Sequence, residues 1–417
     1  LLARHAAEEI RQLLTFAKVV HLVGPRQVGK TTLLRSLFEP ERYLTLDNEE
    51  VRLALQQDPY GHLQGILRNA AGPLIIDEAQ RCKNMVLAIK RIVDEQDVAG
   101  QFILAGSANL LAMLDVADSL AGRAMSVNLL PLSVAEITSR EVGRFLAWAE
   151  AGQTDPNQLP KAEELSRAQY VQLVLRGGFP PAVTLPLAQA RKWHVNYMNR
   201  IADRDVADVL RIRKAASFKQ LIKVLAESTG RELNKTAVGS DLGLGQETVT
   251  DYLEALARMS IVWRLDAWMH QDSRRTIKNA KYHFADTGMA AAIRRLGPNS
   301  FDPDANAQAL GGLFESFVVG ELRKSALNQG ADYGFYHWRD QRGREIDLII
   351  EAGDRLVLVE IKASTRVDDN DLRHLRWFAR QKFARGKIAA SVVFYMGGVK
   401  INFADGICAL PASILWS

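Results

Sequence analysis

The order of apolar and polar positions divides the chain into stretches of different character. From 18 to 135, short apolar runs at Lys18–Val23, Arg42–Leu46, Leu74–Ile76, Phe102–Ala105 and Ser126–Leu130 predict strands. Between them Lys30–Phe38, Met85–Glu95 and Leu110–Ala121 repeat their apolar residues at helical spacing. Short apolar strands alternating with helices predict a parallel sheet covered on both faces. From Ser133 to about Lys214 the strand signal disappears and helical periodicity takes over. It is interrupted at Gly152–Pro160 and again at Gly177-Gly178-Phe179-Pro180-Pro181. Three more helices, Phe218–Ser228, Lys235–Leu242 and Gln246–Met259, precede strands at Ile261–Ala267 and Lys281–Phe284. Pro298–Ala307 has the composition of a linker, and 308–417 mixes helices with a strand hairpin and further strands. The expected fold class is α/β, in four parts: 1–135, 136–213, 214–297 and 298–417.

Composition narrows this picture only slightly. The 417 residues are 47% hydrophobic and 24% charged, which excludes disordered and fibrous classes. With 53 Lys and Arg against 48 Asp and Glu, the net charge is +5, compatible with a polyanion partner but too small to show one. The two cysteines, Cys82 and Cys408, exclude a disulfide scaffold and a cysteine-built zinc site. No apolar run approaches the ~20 residues that span a bilayer, so no membrane partner is expected. Leu1–Ala17 is an amphipathic helix bearing Arg4, Glu8, Glu9 and Arg11, with neither a signal-peptide block nor an initiator Met. The expectation is a cytoplasmic protein whose first residue or more has been trimmed.

The first chemistry lies where the first strand meets its helix. Gly24-Pro25-Arg26-Gln27-Val28-Gly29-Lys30-Thr31 fits G-x-x-x-x-G-K-[ST], and Thr32 follows in the helix. Glycines let backbone N–H groups converge on a β-phosphate, and the helix N-terminus adds positive potential. Lys30 would neutralise the β/γ oxygens of ATP, and the Thr31 hydroxyl would ligate Mg²⁺. Leu74-Ile75-Ile76-Asp77-Glu78 supplies the complement: a buried strand that brings Asp77 to its C-terminal edge to hold Mg²⁺ through water. Glu78 beside it is placed to polarise the attacking water as general base. A helix N-cap is the plainer use of such an acid pair.

After the next strand, Ser107 and Asn109 are both candidates to hydrogen-bond the water or the γ-phosphate. Arg123 ends the following helix. At this point the core resembles the AAA+ ATPases, in which an arginine at that place is usually a finger reaching the γ-phosphate of a neighbouring subunit. Self-association as a ring or other oligomer is what that resemblance implies. A solvated cation facing the helix dipole is the other reading of Arg123. The helical stretch 136–213 matches the AAA+ lid in position. Gly177-Gly178-Phe179-Pro180 is either an element that meets the adenine or a simple helix break.

Val238 and Leu242 have the spacing to pack against Val249 and Leu253 across the Gly243–Gly245 turn, a helix-turn-helix. With the two strands after it this predicts a winged helix, and Arg274, Arg275 and Lys278 lie in the wing loop. Its third helix presents Gln246, Glu247, Thr248, Thr250, Asp251 and Glu254, an acidic face, so DNA contact would rest on the wing cations, and a protein partner is the alternative.

In the C-terminal part, Glu345–Ile350 and Leu356–Lys362 predict a hairpin with Asp347 on one strand and Glu360 and Lys362 on one face of the other. Two Mg²⁺-binding carboxylates and a lysine suffice for metal-assisted phosphodiester hydrolysis. An ordinary hairpin with a surface Lys–Glu pair is the plain alternative. The arrangement resembles the PD-(D/E)XK nuclease core, in which a preceding helix often adds an acid. Glu315, in Gly312-Leu313-Phe314-Glu315, stands at the matching place, with Arg344 nearby. Ile346 precedes Asp347 where the motif has proline, and the helix expected over Asp368–Phe383 carries Arg373, His374 and Arg376 but no Gln-x-x-x-Tyr pattern.

Nearly the whole chain resembles the prokaryotic AAA ATPases with a DUF4143-type C-terminal region. Local matches include Asp47, Leu120-Ala121-Gly122-Arg123 and Phe284-Ala285-Asp286-Thr287-Gly288. The leading expectation is a Mg²⁺-dependent ATPase acting on DNA, with ATP turnover driving or gating a nuclease-like C-terminal domain. A branched-DNA motor with a non-cleaving tail, and an ATP-dependent switch binding a protein partner, are the alternatives.

Overall fold

The computed structural model describes residues 2–68, 72–106, 120–205, 215–269, 279–301 and 307–417. It divides into two compact units: Leu1–Leu130 with the short segments Arg258–Ser260 and Leu327–Gly330, and a second unit built from the rest.

The first unit is a five-stranded parallel sheet, β1 (Val19–Val23), β2 (Tyr43–Thr45), β3 (Leu74–Asp77), β4 (Phe102–Gly106) and β5 (Ala124–Asn128), in the order β2-β3-β4-β1-β5. Alternate residues of each inner strand feed different cores. Leu74, Ile76, Phe102 and Leu104 pack with Met85, Ile89 and Ile92 of α5 (Lys83–Glu95) on one face. Ile75, Ile103, Ala105, Val20 and Leu22 pack on the other, with Ile10 of α1 (Ala6–Leu14) and Leu33 and Leu34 of α2 (Lys30–Leu37). Burial on both faces is why these strands read as continuous apolar runs. Two further helices, α3 (Glu49–Gln57) and α4 (Pro59–Arg68), join β2 to β3, and the Asn48 side chain caps α3 by accepting from the N–H groups of Glu50 and Val51. The helix expected over Leu110–Ala121 lies, except for its last two residues, outside the described residues, as do Ser107 and Asn109.

The second unit carries an eight-stranded mixed sheet in the order β12-β13-β11-β10-β9-β8-β6-β7. Its strands are β6 (Val262–Ala267), β7 (Lys281–Phe284), β8 (Gly334–Arg339), β9 (Glu345–Ala352), β10 (Arg355–Lys362), β11 (Ile388–Tyr395), β12 (Ile401–Asn402) and β13 (Ile407–Pro411). The expected strand pair after the helix-turn-helix is present, and it is not isolated. β6 pairs with β7 antiparallel and also with β8 in parallel, through Asp266↔Tyr336 and Ala267↔His337. Residues on both sides of the expected boundary at 297/298 therefore share one sheet. Arg274, Arg275 and Lys278 lie outside the described residues.

The helices expected to form a lid pack within this unit as well. Phe145 of α6 (Phe145–Glu150) meets Phe394 of β11 edge-on at 4.9 Å, and the Tyr170 hydroxyl of α7 (Arg167–Arg176) accepts from the Ser413 N–H at 3.0 Å. The three helices expected to form a helix-turn-helix are α9 (Ala215–Glu227), α10 (Lys235–Leu242) and α11 (Gln246–Arg258), after α8 (Leu187–Arg200). Gly177-Gly178-Phe179-Pro180 is fixed by packing against α12 (Thr287–Ile293): Asp286 caps that helix through the Met289 N–H at 3.1 Å and accepts from the Gly178 N–H at 2.6 Å. Thr287 Oγ1 adds a bond to the Val174 carbonyl at 2.8 Å. Two motifs about a hundred residues apart thus meet through one buried carboxylate. The helix expected over Asp368–Phe383 is shorter, α14 (Arg373–Ala379), preceded by a 3₁₀ turn that Asp368 caps.

Asp286→Ala leaves the buried Gly178 N–H without a partner and removes a helix cap. It should lower the stability of this unit by about 2–3 kcal/mol in urea unfolding, and Asp286→Asn by less.

Candidate functional site: a phosphate loop and a carboxylate cluster

The loop between β1 and α2 is shaped by its two glycines. A Cβ on Gly24 would lie 2.2 Å from the Leu129 carbonyl oxygen, and Gly29 caps α2 at φ 102°, a left-handed conformation. Val28 is buried in the core while Arg26 and Gln27 are exposed, so the loop is pinned at its centre and faces outward at its crown. Arg4 braces it from α1's side, donating to the Val28 carbonyl at 2.8 Å and the Leu130 carbonyl at 2.6 Å. Nothing in the pattern around Arg4 marked that role, because it depends on where the end of β5 runs.

Lys30 is buried, and its ammonium donates to the carbonyls of Gly24 at 2.8 Å and Pro25 at 2.9 Å. Burial pushes its pKa down to about 8, against the attraction of Glu78 and Asp77. Thr31 Oγ1 donates to Asp77 Oδ2 at 2.6 Å, and Tyr43 donates to the same oxygen. Asp77 Oδ1 accepts from the Glu78 N–H at 3.0 Å. Burial and the bond to Asp77 hold the Tyr43 hydroxyl above its ordinary pKa, so it stays a donor. The structure thus joins Lys30 and Thr31 to Asp77 from two places in the sequence and adds Tyr43, which sequence reasoning missed. A hydroxyl and a carboxylate oxygen meeting at the first turn of a helix, beside a lysine, suit the hard oxygen coordination and the phosphate contacts of Mg²⁺-ATP.

Glu78 sits immediately beyond β3 with φ 55°, left-handed although it is not glycine. Gln80 Nε2 donates to its Oε2 at 2.5 Å. Such a conformation costs a non-glycine residue about 1–2 kcal/mol. β4 lies between β1 and β3, so Gly106 ends between the loop and the acid pair, and Ser107 follows it directly. Arg123 is engaged by Asp94, Nη2 to Oδ2 at 3.0 Å, and Asp47 by Arg81 at 2.7 Å.

In the second unit, the hairpin brings Asp347, Glu360 and Lys362 together. The Ile361 N–H donates to Asp347 Oδ2 at 2.8 Å, and Lys362 donates to Glu360 Oε1 at 2.8 Å. Burial, then the neighbouring Asp347, raises the Glu360 pKa well above the carboxylate range; burial also raises Asp347. Glu360 Oε2 is buried with no hydrogen-bond partner, as an oxygen facing an absent cation would be. That oxygen of the pair is open to a cation.

Glu315 lines the same cavity as Asp347 and is paired there with a lysine. Lys281, 1% exposed in its side chain, donates to Glu315 Oε1 at 2.8 Å and pairs with Glu345 Oε1 at 2.7 Å. Helix α13 (Ala307–Asn328) reaches this position because Gly312 lets it approach; a Cβ there would lie 2.6 Å from the Thr229 carbonyl oxygen. Sequence reasoning missed Lys281 and Glu345, whose signal is only a lysine opening an otherwise apolar strand and an acid two residues before Asp347. Arg344 is turned away, bonded to Asp340 at 2.8 Å and stacked over Trp377 at 3.4 Å. A cavity of about 530 Å³ opens onto Glu315, Glu345 and Asp347, with Arg231, Asn234, Asn279 and Arg339 also lining it. Among the described residues, no group of three or more His, Cys, Asp or Glu side chains could hold a metal ion.

The fold and loop of the first unit are those of a P-loop ATPase core. Residues 17–138 match the family described as AAA domain, and residues 310–415 match DUF4143, a domain of unknown function, so the chain carries both domains. Residues 167–300 match a second domain of unknown function, DUF8612. An uncharacterized protein of Mycobacterium tuberculosis is 28% identical over 414 residues, covering 98% of this chain and 83% of its own. An uncharacterized protein of Methanocaldococcus jannaschii is 23% identical over 378 residues, 85% of this chain and 76% of its own. Among solved structures, the Walker-type ATPase of Pyrococcus abyssi aligns at 16% identity and a TM-score of 0.41, covering 70% of this chain and 96% of its own. No helix among the described residues is long and apolar enough to cross a membrane.

Two outcomes follow from this geometry. Nucleotide binding needs Lys30 charged, and its pKa without ligand is about 8. Affinity for ATP should be level below pH 8 and then fall roughly tenfold per pH unit, as read by fluorescent-nucleotide titration. Glu78→Gly relieves the left-handed strain, so it should raise stability by about 1 kcal/mol while lowering ATP turnover roughly a hundredfold or more.

Proposed function

We propose that this protein is a Mg²⁺-dependent ATPase that acts on DNA, ATP turnover driving a C-terminal domain of PD-(D/E)XK nuclease-like fold. The observation that carries the ATPase half is the meeting of Thr31 Oγ1 and Asp77 Oδ2 at 2.6 Å beside the buried Lys30. Mg²⁺ held by Thr31 and Asp77 would screen charge on the β- and γ-phosphates. Lys30 would leave the Gly24 and Pro25 carbonyls for phosphate oxygens, and Tyr43 and the Glu78 N–H would keep the Asp77 carboxylate oriented. Glu78, held at the strand tip, would accept the proton of the attacking water. Ser107 or Asn109 would complete the γ-phosphate contacts.

Asp347, Glu360 and Lys362 support the nuclease-like reading of the C-terminal domain, since their polar atoms converge from two paired strands. In that reading Asp347 and Glu360 hold the metal, which supplies a Lewis acid, and Lys362 stabilises charge on the phosphodiester. The three helices α9–α11 followed by β6 and β7 support a winged helix, although the exposed residues Gln246, Glu247, Asp251 and Glu254 of α11 disfavour that helix as the DNA contact. Contact through Arg274, Arg275 and Lys278 is the alternative route within the same domain. Self-association is part of the proposal: Arg123 would exchange Asp94 for the γ-phosphate on a neighbouring subunit. A second reading, a DNA-remodelling ATPase whose tail does not cut, is favoured by the pairing of Glu315 with Lys281.

The test combines ATP turnover with cleavage of single-stranded, double-stranded and branched DNA in Mg²⁺ or Mn²⁺. Lys30→Ala should lose nucleotide binding, and Glu78→Gln should keep it while losing turnover. Cleavage that Asp347→Ala abolishes supports the leading reading. DNA-stimulated turnover without cleavage supports the second, and turnover indifferent to DNA contradicts both.

A further inference from the structure

The C-terminal carboxylates are not a vacant ligand set. Lys281, at the start of β7, lies behind them and takes one oxygen each from Glu315 and Glu345. Its place is set by geometry: both ion pairs are short, and its side chain is 1% exposed. The strand holding it is anchored on both sides: Lys281 pairs across to Glu232 by a β-bridge, and the Asn279 carbonyl meets His337 Nε2 at 2.9 Å. His283, two residues on, meets Ser316 Oγ at 2.9 Å, and that hydroxyl lies one residue from Glu315 and also contacts Thr229 at 3.1 Å. The ammonium therefore sits on a rigid element facing a rigid helix. Arg339 adds a second, looser cation, 4.0 Å from Glu345 Oε2.

We propose that Lys281 is the resident cation of this cluster, withdrawing Glu315 and Glu345 from metal coordination so that Asp347 and Glu360 alone face a divalent ion. This rests on the nuclease-like reading for the metal but not for the lysine's place. Two carboxylates, one of them already bonded to Lys362, give a weak site for a cation that prefers six or more oxygens. Lys281 would then set the metal affinity of the tail from outside the hairpin that carries the motif. Glu315 and Glu345 line one cavity with Asp347, so removing the lysine's charge would leave two unpaired acids beside it.

The experiment is a Mn²⁺ titration of the full-length, nucleotide-free protein, followed by electron paramagnetic resonance, with Asp347→Asn reporting which ion belongs to the tail. In the wild type the Asp347-dependent ion should bind only at millimolar concentration. Lys281→Met should tighten it by about tenfold or more, and adding Glu315→Gln to Lys281→Met should reverse the gain. Asp347-dependent binding at micromolar Mn²⁺ in the wild type overturns the proposal, and that arm stands even if Lys281→Met does not fold. Folded Lys281→Met with unchanged affinity overturns it too. The readout is binding, so an absence of DNA cleavage leaves this test intact and bears only on the nuclease reading.

Discussion

A buried ammonium ion governs the phosphate loop. Lys30 is held beneath its loop by two carbonyl oxygens of that loop, and this closes the turn before any ligand arrives. The arrangement works because β1 is followed by a glycine that can press against the Leu129 carbonyl, and because Val28 anchors the loop's centre in the core. A lysine desolvated in this way is less stable in its charged form than in water. Phosphate oxygens would replace the carbonyls with stronger, charge-assisted partners. The same constraint aligns Thr31 with Asp77: with the loop fixed, the first turn of α2 places the Thr31 hydroxyl beside the end of β3.

The second unit is organised by a different continuity. Its sheet runs unbroken from the hairpin of Asp347 and Glu360 to the strand pair that follows the helix-turn-helix. A parallel junction of only two residue pairs, β6 to β8, makes that connection. Its consequence is chemical as well as architectural, because β7 delivers Lys281 to the carboxylates from a region that reads as a separate module.

Much of this was legible in the chain itself, and the reasons are local. Strands β1, β3 and β4 are buried on both faces, so their apolar runs announce them. The phosphate-loop glycines and the Asp77-Glu78 pair are fixed by spacing. Asp347, Glu360 and Lys362 were legible because a two-residue period and a short turn dictate their register. What escaped depended on tertiary approach. Lys281 and Glu345 are ordinary residues until a sheet of non-consecutive strands brings them to Glu315. Tyr43 joins Asp77 only because β2 neighbours β3. Asp286 meets Gly178 from over a hundred residues away, and α3 and α4 fill a connection with no strong periodicity to mark it. The left-handed turn at Glu78 has no sequence signature, since glutamate gives no hint of it.

The direct measurement of the central claim is calorimetric titration of the full-length protein with ATP in the presence of Mg²⁺. Saturable binding of one ATP per chain that Lys30→Ala abolishes in a folded protein is the predicted result. Absence of binding by folded wild-type protein, or identical binding by Lys30→Ala, would contradict it.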